Sequence, residues 1–296
     1  MRKINLKGMG VAMITPFTEN GSVDFLSLSR LIDLQLQSQT DYLVFLGTTA
    51  EIPTLTDEEQ KEIIRFAVSK VKGQIPLVLG LGGNNTQSVV NKLKTEDFSE
   101  IDAILSVAPY YNRPSQEGIY QHYKHIVEAS PLPIILYNVP GRTGISISAE
   151  TTLRLANDFD NIIATKEASA NFTQISNILQ NKPIDFDVIS GDDGVTLPLI
   201  SIGAIGVISV IGNALPKEFG QLVHSALSGN YEKAKTIHNR LSNLFELICI
   251  DGNPAGIKSL LHSMNYIENV LRLPLVPART STQDSINKAL HALNLQ

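Results

Sequence analysis

Hydrophobic residues in the first three quarters of the chain fall in short, uninterrupted runs that are bounded by turn-forming residues. Apolar runs without polar alternation indicate strands that are buried on both faces, as in a parallel sheet. Eight such strands are predicted, over residues 11–14, 42–46, 75–79, 103–107, 134–137, 162–165, 186–189 and 206–210.

Between most of these runs the apolar spacing changes to a period of 3.6, which is typical of amphipathic helices. The stripe after the first strand comprises Leu28, Leu31, Ile32 and Leu36. Helix start signals agree with this interpretation: Thr56 and Glu59 form a capping box, and Ser115 and Ser148 stand where N-caps are expected. Eight strands alternating with helices predict an α/β fold of the (β/α)8 barrel type rather than an open sheet.

The last part of the chain has a different pattern. The helix after the seventh strand is predicted to be short, over about 196–201, and no strand follows Pro216. Helical patterns fill the rest, over 231–250, after Pro254 and over 281–293. We therefore expect a catalytic barrel over residues 1–228 and a helical appendage over 229–296.

Composition places the chain among ordinary globular proteins, with 296 residues, 43% hydrophobic and 18% charged. The net charge of −5 is spread without runs of like sign, so neither nucleic acid nor an anionic membrane is an expected partner. The first eight residues are too short and too charged for a signal peptide, and no apolar stretch approaches the length of a membrane span. We expect a cytoplasmic protein.

Cys249 is the only cysteine, which excludes an internal disulfide and thiolate-based zinc sites and fits a reducing compartment. We expect it to be a small buried residue of the helical region. His122 and His125 are three apart on a helical pattern without an evident carboxylate or cysteine partner, so we expect surface or interface positions. We therefore expect neither a metal nor another cofactor.

Lys166 ends the apolar run 161–165, which otherwise indicates a buried strand. A low-dielectric surrounding lowers the proton affinity of an amine, and a neutral lysine is a nucleophile toward carbonyl groups. On position alone, a structural lysine that pairs with Glu167 or reaches water is the simpler interpretation. The other strand ends decide between the two.

Barrel enzymes carry their chemistry at the carboxyl ends of the strands. Here those ends are repeatedly polar and glycine-rich, at 47–51, 80–84, 108–112, 137–144, 166–168 and 190–193. The turn at 47–49 could offer backbone N–H groups to a small carboxylate, Tyr137 and Tyr111 could relay protons, and Arg142 suits a bidentate grip on a carboxylate. Each also has a structural interpretation, as a self-satisfied turn, core or interface tyrosines, and a paired loop arginine.

Together these segments closely resemble the dihydrodipicolinate synthase (4-hydroxy-tetrahydrodipicolinate synthase) family of pyruvate-dependent class I aldolases. The matching segments are GTTAE at 47–51, PYYNRP at 109–114, YNVPGRTG at 137–144, KEA at 166–168 and GVISV at 206–210. The resemblance runs in order along nearly the whole chain. Ala50 is a departure, because the family usually has glycine there; if the position requires a positive φ, alanine costs about 1 kcal/mol.

The resemblance implies a lyase in which Lys166 forms a Schiff base with pyruvate, whose carboxylate is held by the Thr48-Thr49 turn. The enamine then condenses with L-aspartate 4-semialdehyde in lysine (diaminopimelate) biosynthesis. It further implies catalytic roles for Lys166, Tyr137, Thr49 and Tyr111, and substrate contacts at Thr48, Thr49, Arg142, Gly191 and Ile208. In the family the tyrosine equivalent to Tyr111 enters the neighbouring subunit's site, so a homodimer and more commonly a homotetramer is implied.

Two alternatives remain open at this stage. The chain could be another pyruvate aldolase, such as a sialic acid or keto-deoxy sugar lyase, but Arg142 and Thr49 favour the synthase. It could instead bind a keto acid as a sensor without turnover. Retention of Thr49, Tyr111, Tyr137 and Lys166 together argues against a sensor, which could lose the relay without consequence.

Regulation is where the sequence departs from the feedback-inhibited members that it resembles. In those enzymes L-lysine binds at the dimer interface through a carboxylate and a nearby imidazole, with a tyrosine and an asparagine completing the pocket. Asn84 and Tyr110 are kept here, but the carboxylate position is Ser88, and Asp57 and Gln60 stand where histidines can occur. We therefore expect inhibition by L-lysine to be weak or absent.

Overall fold

A computed structural model of the protein describes residues 4–294. Its centre is a closed barrel of eight parallel strands in sequential order, and the first strand pairs with both the second and the eighth. The strands are β1 (Gly8–Ala12), β2 (Tyr42–Phe45), β3 (Leu77–Gly80), β4 (Ala103–Val107), β5 (Ile134–Asn138), β6 (Ile162–Glu167), β7 (Asp187–Ser190) and β8 (Gly206–Ser209). This confirms the predicted (β/α)8 barrel.

Helices follow the strands around the barrel and continue beyond it. They are α1 (Phe25–Gln37), α2 (Asp57–Val71), α3 (Thr86–Thr95), α4 (Gln116–Ala129), α5 (Pro140–Thr143), α6 (Ala149–Asp158), α7 (Phe172–Asn181), α8 (Thr196–Ser201), α9 (Pro216–Leu227), α10 (Tyr231–Ile250), α11 (Ala255–Ser263) and α12 (Thr280–Leu293). The predicted Thr56–Glu59 capping box begins α2, and Ser115 and Ser148 cap α4 and α6 as expected. The sequence thus carried the start signals of these helices.

The first strand lies earlier than the prediction of residues 11–14, because the pattern missed its two glycines. A side chain at residue 10 would collide with the buried ring of Tyr42, and a side chain at Gly206 would collide with the backbone of Gly8. The close approach of strands at this end of the barrel therefore requires glycine, which a search for apolar runs does not recognise.

The core has two layers, separated by the barrel wall. The inner cluster fills the barrel and includes Ala12, Val44, Val78, Leu105, Ile135, Ala164 and Ile208. The outer cluster lies between the strands and the helices and includes Val11, Leu43, Leu79, Ile104, Ile134, Leu136 and Ile162. Successive residues of a strand point to opposite faces, so both faces of each strand are apolar.

One irregularity in the barrel bears on the position of Lys166. Ile134 of β5 pairs with Ile162 of β6, but Ile135 pairs with Ala164, so Ile163 is an extra residue in β6. Beyond this bulge the pairing is regular, and Lys166 comes opposite Tyr137. Bulges of this kind re-aim the side chains that follow them.

The helices after the barrel pack together and against its side, with α10 contacting α9, α11 and α12.

Two expectations from the sequence about the burial of single residues were wrong. Cys249 is exposed, because the buried stripe of α10 runs through Leu244, Leu247 and Ile248 and the next residue turns outward. His122 is buried rather than at the surface, with its Nδ1 2.8 Å from Thr86 Oγ1, since α3 packs over this face of α4.

Candidate active site

A cavity of about 360 Å³ opens at the carboxyl ends of β2 to β5. Its wall combines strand ends with the segment that joins α10 to α11 and the loop before α12. The lining includes Thr48, Glu51, Gly80, Tyr110, Tyr137, Arg142, Asn253, Pro274 and Leu275. Several of the polar strand ends identified in the sequence therefore meet in one place.

Lys166 is only 5% exposed and lies next to the lining of this cavity without forming part of it. Its Nζ is 4.3 Å from the centre of the Tyr137 ring, which itself lines the cavity. Within residues 4–294 no carboxylate forms an ion pair with Lys166. A buried amine beside an aromatic wall and without a counter-ion is suited to act as a nucleophile.

Glu167 does not pair with Lys166, because neighbouring strand residues point to opposite faces. Its carboxylate accepts hydrogen bonds from Ser169 Oγ at 2.7 Å and Asn138 Nδ2 at 3.1 Å, on the outer side of the barrel. Burial raises the pKa of Glu167, and these hydrogen bonds oppose the rise. The simpler interpretation of Lys166 as the partner of its neighbour is therefore excluded.

The turn after β2 is a single 3₁₀ turn over Thr48–Ala50. Its closing hydrogen bonds run from Ala50 N–H to Gly47 O at 3.1 Å and from Glu51 N–H to Thr48 O at 3.2 Å. The positive φ of 58° falls on Glu51 and not on Ala50. The alanine at this position is therefore compatible with the turn.

The two threonines of the turn have different surroundings. Thr48 lines the cavity, whereas Thr49 is buried and its Oγ1 accepts a hydrogen bond of 3.0 Å from Asn253 Nδ2. Asn253 also accepts, through its backbone oxygen, a hydrogen bond of 3.1 Å from Arg142 Nη2. Sequence reasoning missed this asparagine, which precedes a proline in a loop remote from every motif.

Arg142 stands on α5, the single helical turn directly after β5, and lines the cavity. The proline at 140 starts this turn and Gly144 ends it in the left-handed conformation. Short, bounded turns hold a guanidinium at a fixed place beside the strand end. Its remaining N–H groups are available to a ligand carboxylate.

Tyr111 is not brought to this chain's own cavity. It is 89% exposed, with a φ of 72°, in the loop after β4. Its neighbour Tyr110 lines the cavity instead, and the loop is held by Asn84 Nδ2 donating to Tyr110 O at 3.1 Å and by Asn112 Nδ2 donating to Asn84 O at 2.9 Å. The backbone of the loop is therefore fixed on both sides of Tyr111, whose side chain is exposed and does not line the cavity.

The last two predicted contact residues, Gly191 and Ile208, do not line this cavity. Gly191 follows β7, and a side chain there would come within 2.8 Å of Ala168 Cβ and 3.1 Å of Lys166 Cε, so the position is tightly packed. Ile208 is buried inside the barrel on β8, where it pairs with Gly10. The structure therefore does not bring either residue into the cavity wall at the ends of β2 to β5.

A second buried lysine, Lys258 on α11, was missed by sequence reasoning. Its Nζ lies 2.5 Å from Glu51 Oε1, and both side chains are fully buried. The signal was present, since Lys258 interrupts the apolar face of an amphipathic helix between Ile257 and Leu261. Unlike Lys166, it has a carboxylate partner.

The fold and site define the class: a (β/α)8-barrel enzyme with a buried lysine that has no carboxylate partner among the described residues, next to a cavity that is lined by an arginine. Residues 5–293 match the model of the dihydrodipicolinate synthetase family, and the chain belongs to this family. A 4-hydroxy-tetrahydrodipicolinate synthase of Parabacteroides distasonis is 62% identical over 296 residues, covering 100% of both chains.

Solved structures agree with this assignment. The dihydrodipicolinate synthase of Acinetobacter baumannii, solved with pyruvate, has a TM-score of 0.95 at 36% identity, over 99% of this chain and 100% of that one. The enzyme of Cyanidioschyzon merolae, solved with lysine bound, gives the same TM-score and identity with the same coverage. Within the described residues, no helix combines the length and apolar character needed to cross a membrane.

Proposed function

We propose that this chain is a 4-hydroxy-tetrahydrodipicolinate synthase, which condenses pyruvate with L-aspartate 4-semialdehyde. The observation that carries the proposal is Lys166, which is buried beside the cavity-lining Tyr137 and has no counter-ion among the described residues. An amine in this setting can attack a keto acid, and the protonated imine that forms is an electron sink that free pyruvate lacks.

The reaction starts with attack of Lys166 Nζ on C2 of pyruvate and loss of water. Removal of a proton from the methyl carbon then gives an enamine, and this carbon attacks the aldehyde carbon of the second substrate. The amino group of the new chain attacks C2, closes the ring and releases Lys166 as the free amine. Atoms balance without a metal or redox cofactor.

Pyruvate is proposed to lie with its carboxylate on the turn after β2. The N–H groups of Thr48 and Thr49 have no acceptor among the described residues, and they lie at the start of the 3₁₀ turn, where backbone donors favour an anion. The Thr48 hydroxyl faces the cavity and adds a third donor. Three donors on one short turn are enough to orient a small carboxylate above Lys166.

Proton transfer is proposed to run through Tyr137, a threonine hydroxyl of the turn and Tyr111 of a neighbouring chain. Thr48 lines the cavity while Thr49 is bonded to Asn253, so variants Thr48→Val and Thr49→Val separate the two hydroxyls. The variant that loses more kcat identifies the hydroxyl in the relay. The proposal requires a homodimer at least and is compatible with a tetramer.

Arg142 is proposed to bind the carboxylate of the aldehyde substrate, with lesser contacts from the backbone at Gly191 and Ile208. The testing experiment is an assay of the purified chain with pyruvate and a panel of aldehydes. L-aspartate 4-semialdehyde should give the highest kcat/KM, because only this substrate offers a carboxylate and an amine for ring closure. A higher value for a sugar aldehyde would identify a sugar lyase, and imine formation without turnover of any aldehyde would identify a sensor.

A further inference from the structure

Glu51 has an unusual backbone conformation at the end of the turn proposed to bind pyruvate. Its φ of 58° and ψ of 34° are left-handed, a region that residues with a β-carbon rarely occupy. Its N–H donates to Thr48 O at 3.2 Å, and its carbonyl accepts from Thr54 N–H at 2.9 Å. Such a residue keeps its conformation only where surrounding contacts hold it.

In addition to these backbone hydrogen bonds, the side chain of Glu51 is held by the helical region that follows the barrel. Glu51 Oε1 lies 2.5 Å from Lys258 Nζ, and Glu51 Oε2 accepts a hydrogen bond of 3.1 Å from the backbone N–H of Arg272. Both oxygens are thus engaged by α11 and the loop that follows it. The end of the turn is held from outside the barrel.

The ammonium of Lys258 has further contacts besides the one with Glu51. Its ammonium also donates to Val270 O at 3.0 Å and lies 4.2 Å from the centre of the Phe17 ring. Burial lowers its pKa to about 8, and the carboxylate of Glu51 opposes that change. The amine is already bound by the Glu51 carboxylate and by Val270 O, so it serves as a charge beneath the turn and not as a second nucleophile.

The other charges near Glu51 are already balanced. The Arg272 guanidinium is bound by Glu59, with Nη1 2.8 Å from Oε2 and Nη2 2.5 Å from Oε1. These two groups neutralise each other. Lys258 is therefore the counter-charge of Glu51, and without it a buried negative charge would lie under a turn that receives a carboxylate.

We infer that Lys258 is a positioning residue for the keto-acid substrate, because it cancels the charge of Glu51 beneath the carboxylate-binding turn and holds that turn in place. The inference rests on the proposed role of the turn. It joins the appendage to substrate binding in the barrel, although no residue of α11 needs to touch pyruvate. A buried ion pair that only fastens α11 to the barrel is the alternative.

The test compares wild type, Lys258→Met and the double variant Glu51→Gln/Lys258→Met. Lys258→Met leaves the Glu51 charge uncompensated, so at pH 8 the pyruvate KM should rise on the order of tenfold while the aldehyde KM changes less than about twofold. On lowering the pH to about 6 the rise should shrink, because a buried carboxylate without a counter-ion takes up a proton. The double variant has no charge at either of these two positions. Its pyruvate KM should therefore be within about threefold of the wild-type value, and the ratio of the two KM values should be the same at both pH values.

Arg240→Met is the matched control. Arg240 donates to Leu293 O and joins α10 to α12 in the same appendage, so its loss should lower the Tm without changing either KM. A lower Tm for Lys258→Met with an unchanged pyruvate KM, or a KM rise that does not depend on pH, would overturn the inference. If Lys258→Met does not fold, a tenfold or larger KM rise in the folded double variant also overturns it.

Borohydride trapping of pyruvate separates this outcome from failure of the proposed function. If the wild type traps no pyruvate, the proposed function itself is wrong. If the wild type traps pyruvate and Lys258→Met does so with the same half-saturating concentration, only the inference about Lys258 is wrong. Trapping by the variant at higher pyruvate concentration supports both.

Discussion

Tyr137 and Lys166 stand opposite each other on neighbouring strands, and the ammonium nitrogen lies 4.3 Å from the centre of the aromatic ring. The ring forms one wall around the amine and excludes water from it. Tyr137 also lines the cavity, so one side chain contacts both the buried amine and the space that we propose for the keto acid.

We predict that borohydride added with pyruvate attaches a three-carbon unit to Lys166. Peptide mapping by mass spectrometry locates the modified lysine. Lys258 is the internal control, because it is also buried but is paired with Glu51. Modification of Lys258, or of no lysine, would contradict the assignment.

Tyr111 is predicted to act in the active site of a neighbouring chain. Tyr111→Phe and Lys166→Ala should each be inactive alone, but mixed dimers should regain activity because one of their two sites has both residues. The 89% exposure of Tyr111 motivates this experiment. Each variant refolded with itself is the control, and hybrids that stay inactive would show that each site is built from one chain.

Arg142→Ala is predicted to spare imine formation with pyruvate and to lower kcat/KM for the aldehyde. A lost charge-assisted contact costs about 1.5–3 kcal/mol, which corresponds to roughly ten- to a hundredfold. Arg142→Lys keeps the charge but lacks the planar guanidinium, so its kcat/KM for the aldehyde should lie between the values of wild type and Arg142→Ala. Steady-state kinetics for both substrates measure the effect, and an unchanged aldehyde kcat/KM would remove Arg142 from this role.

Inhibition by L-lysine is predicted to be weak or absent. A second cavity of about 260 Å³ is lined by Asp57, Gln60, Ser88, Lys92 and Tyr110, which includes the positions that bind lysine in inhibited relatives. Asp57 does not compensate for Ser88, because its carboxylate is 2.9 Å from Lys92 Nζ. That pairing lowers the pKa of Asp57, so the carboxylate stays ionised, but its charge is already offset by the ammonium of Lys92.

The measurement is activity against L-lysine concentration for wild type and Ser88→Glu. The variant should gain sensitivity, since a carboxylate at 88 restores a contact of about 1.5–3 kcal/mol. Gln87→Glu adds the same charge outside the cavity and should not change the response. Saturable inhibition of the wild type below about 1 mM, where a ligand is bound with roughly −4 kcal/mol or better, would contradict the prediction.

Stability is predicted to depend on pH through His224, whose Nε2 is 2.7 Å from Asp41 Oδ2. The hydrogen bond with Asp41 raises the pKa of His224 above its ordinary value of 6.5. The protonated pair therefore contributes its full stability below about pH 6.5, and this contribution is lost as the pH rises through the folded-state pKa. The Tm difference between wild type and His224→Gln should be larger at pH about 5.5 than at about 8.5.

His125→Gln is the matched control for this measurement, because His125 is exposed and its nearest carboxylate oxygen, on Glu128, is 3.6 Å away. Its Tm difference from wild type should vary less with pH. If the difference for His224→Gln is the same at both pH values, the ion pair with Asp41 makes no contribution to folding.

Much of the fold could be predicted because local patterns and tertiary structure agree. The short helix at 196–201 and the long helix at 231–250 were predicted with the observed ends. The bounds of β1 were missed, because Gly8 and Gly10 are set by the approach of other strands and carry no apolar signal. Such contacts form only on closure of the barrel.

The candidate site was predictable where its residues follow strands. Lys166, Tyr137, Thr48 and Arg142 could be found because each comes directly after, or at the end of, an apolar run. Asn253 and Lys258 could not be assigned in this way, because a helical region far along the chain brings them to the turn. The periodicity of the sequence does not predict where the side chain of Tyr111 points either, and the expectation that it enters a neighbouring subunit rested on the resemblance alone.

The extra residue in β6 has a consequence for how this enzyme tolerates changes in length. Ile162 faces the helices. With strict alternation along the strand, residue 166 would face the helices as well. The bulge at Ile163 adds one residue, so Lys166 points into the barrel instead. Deleting residue 163 would leave a regular strand with the lysine still inward and opposite Tyr137. Whether Lys166 points inward thus depends on the number of residues that separate it from Ile162 and on the presence of the bulge. Deletion of the codon for residue 163 removes one residue and the bulge together, and is therefore the shortening of β6 that such an enzyme could survive.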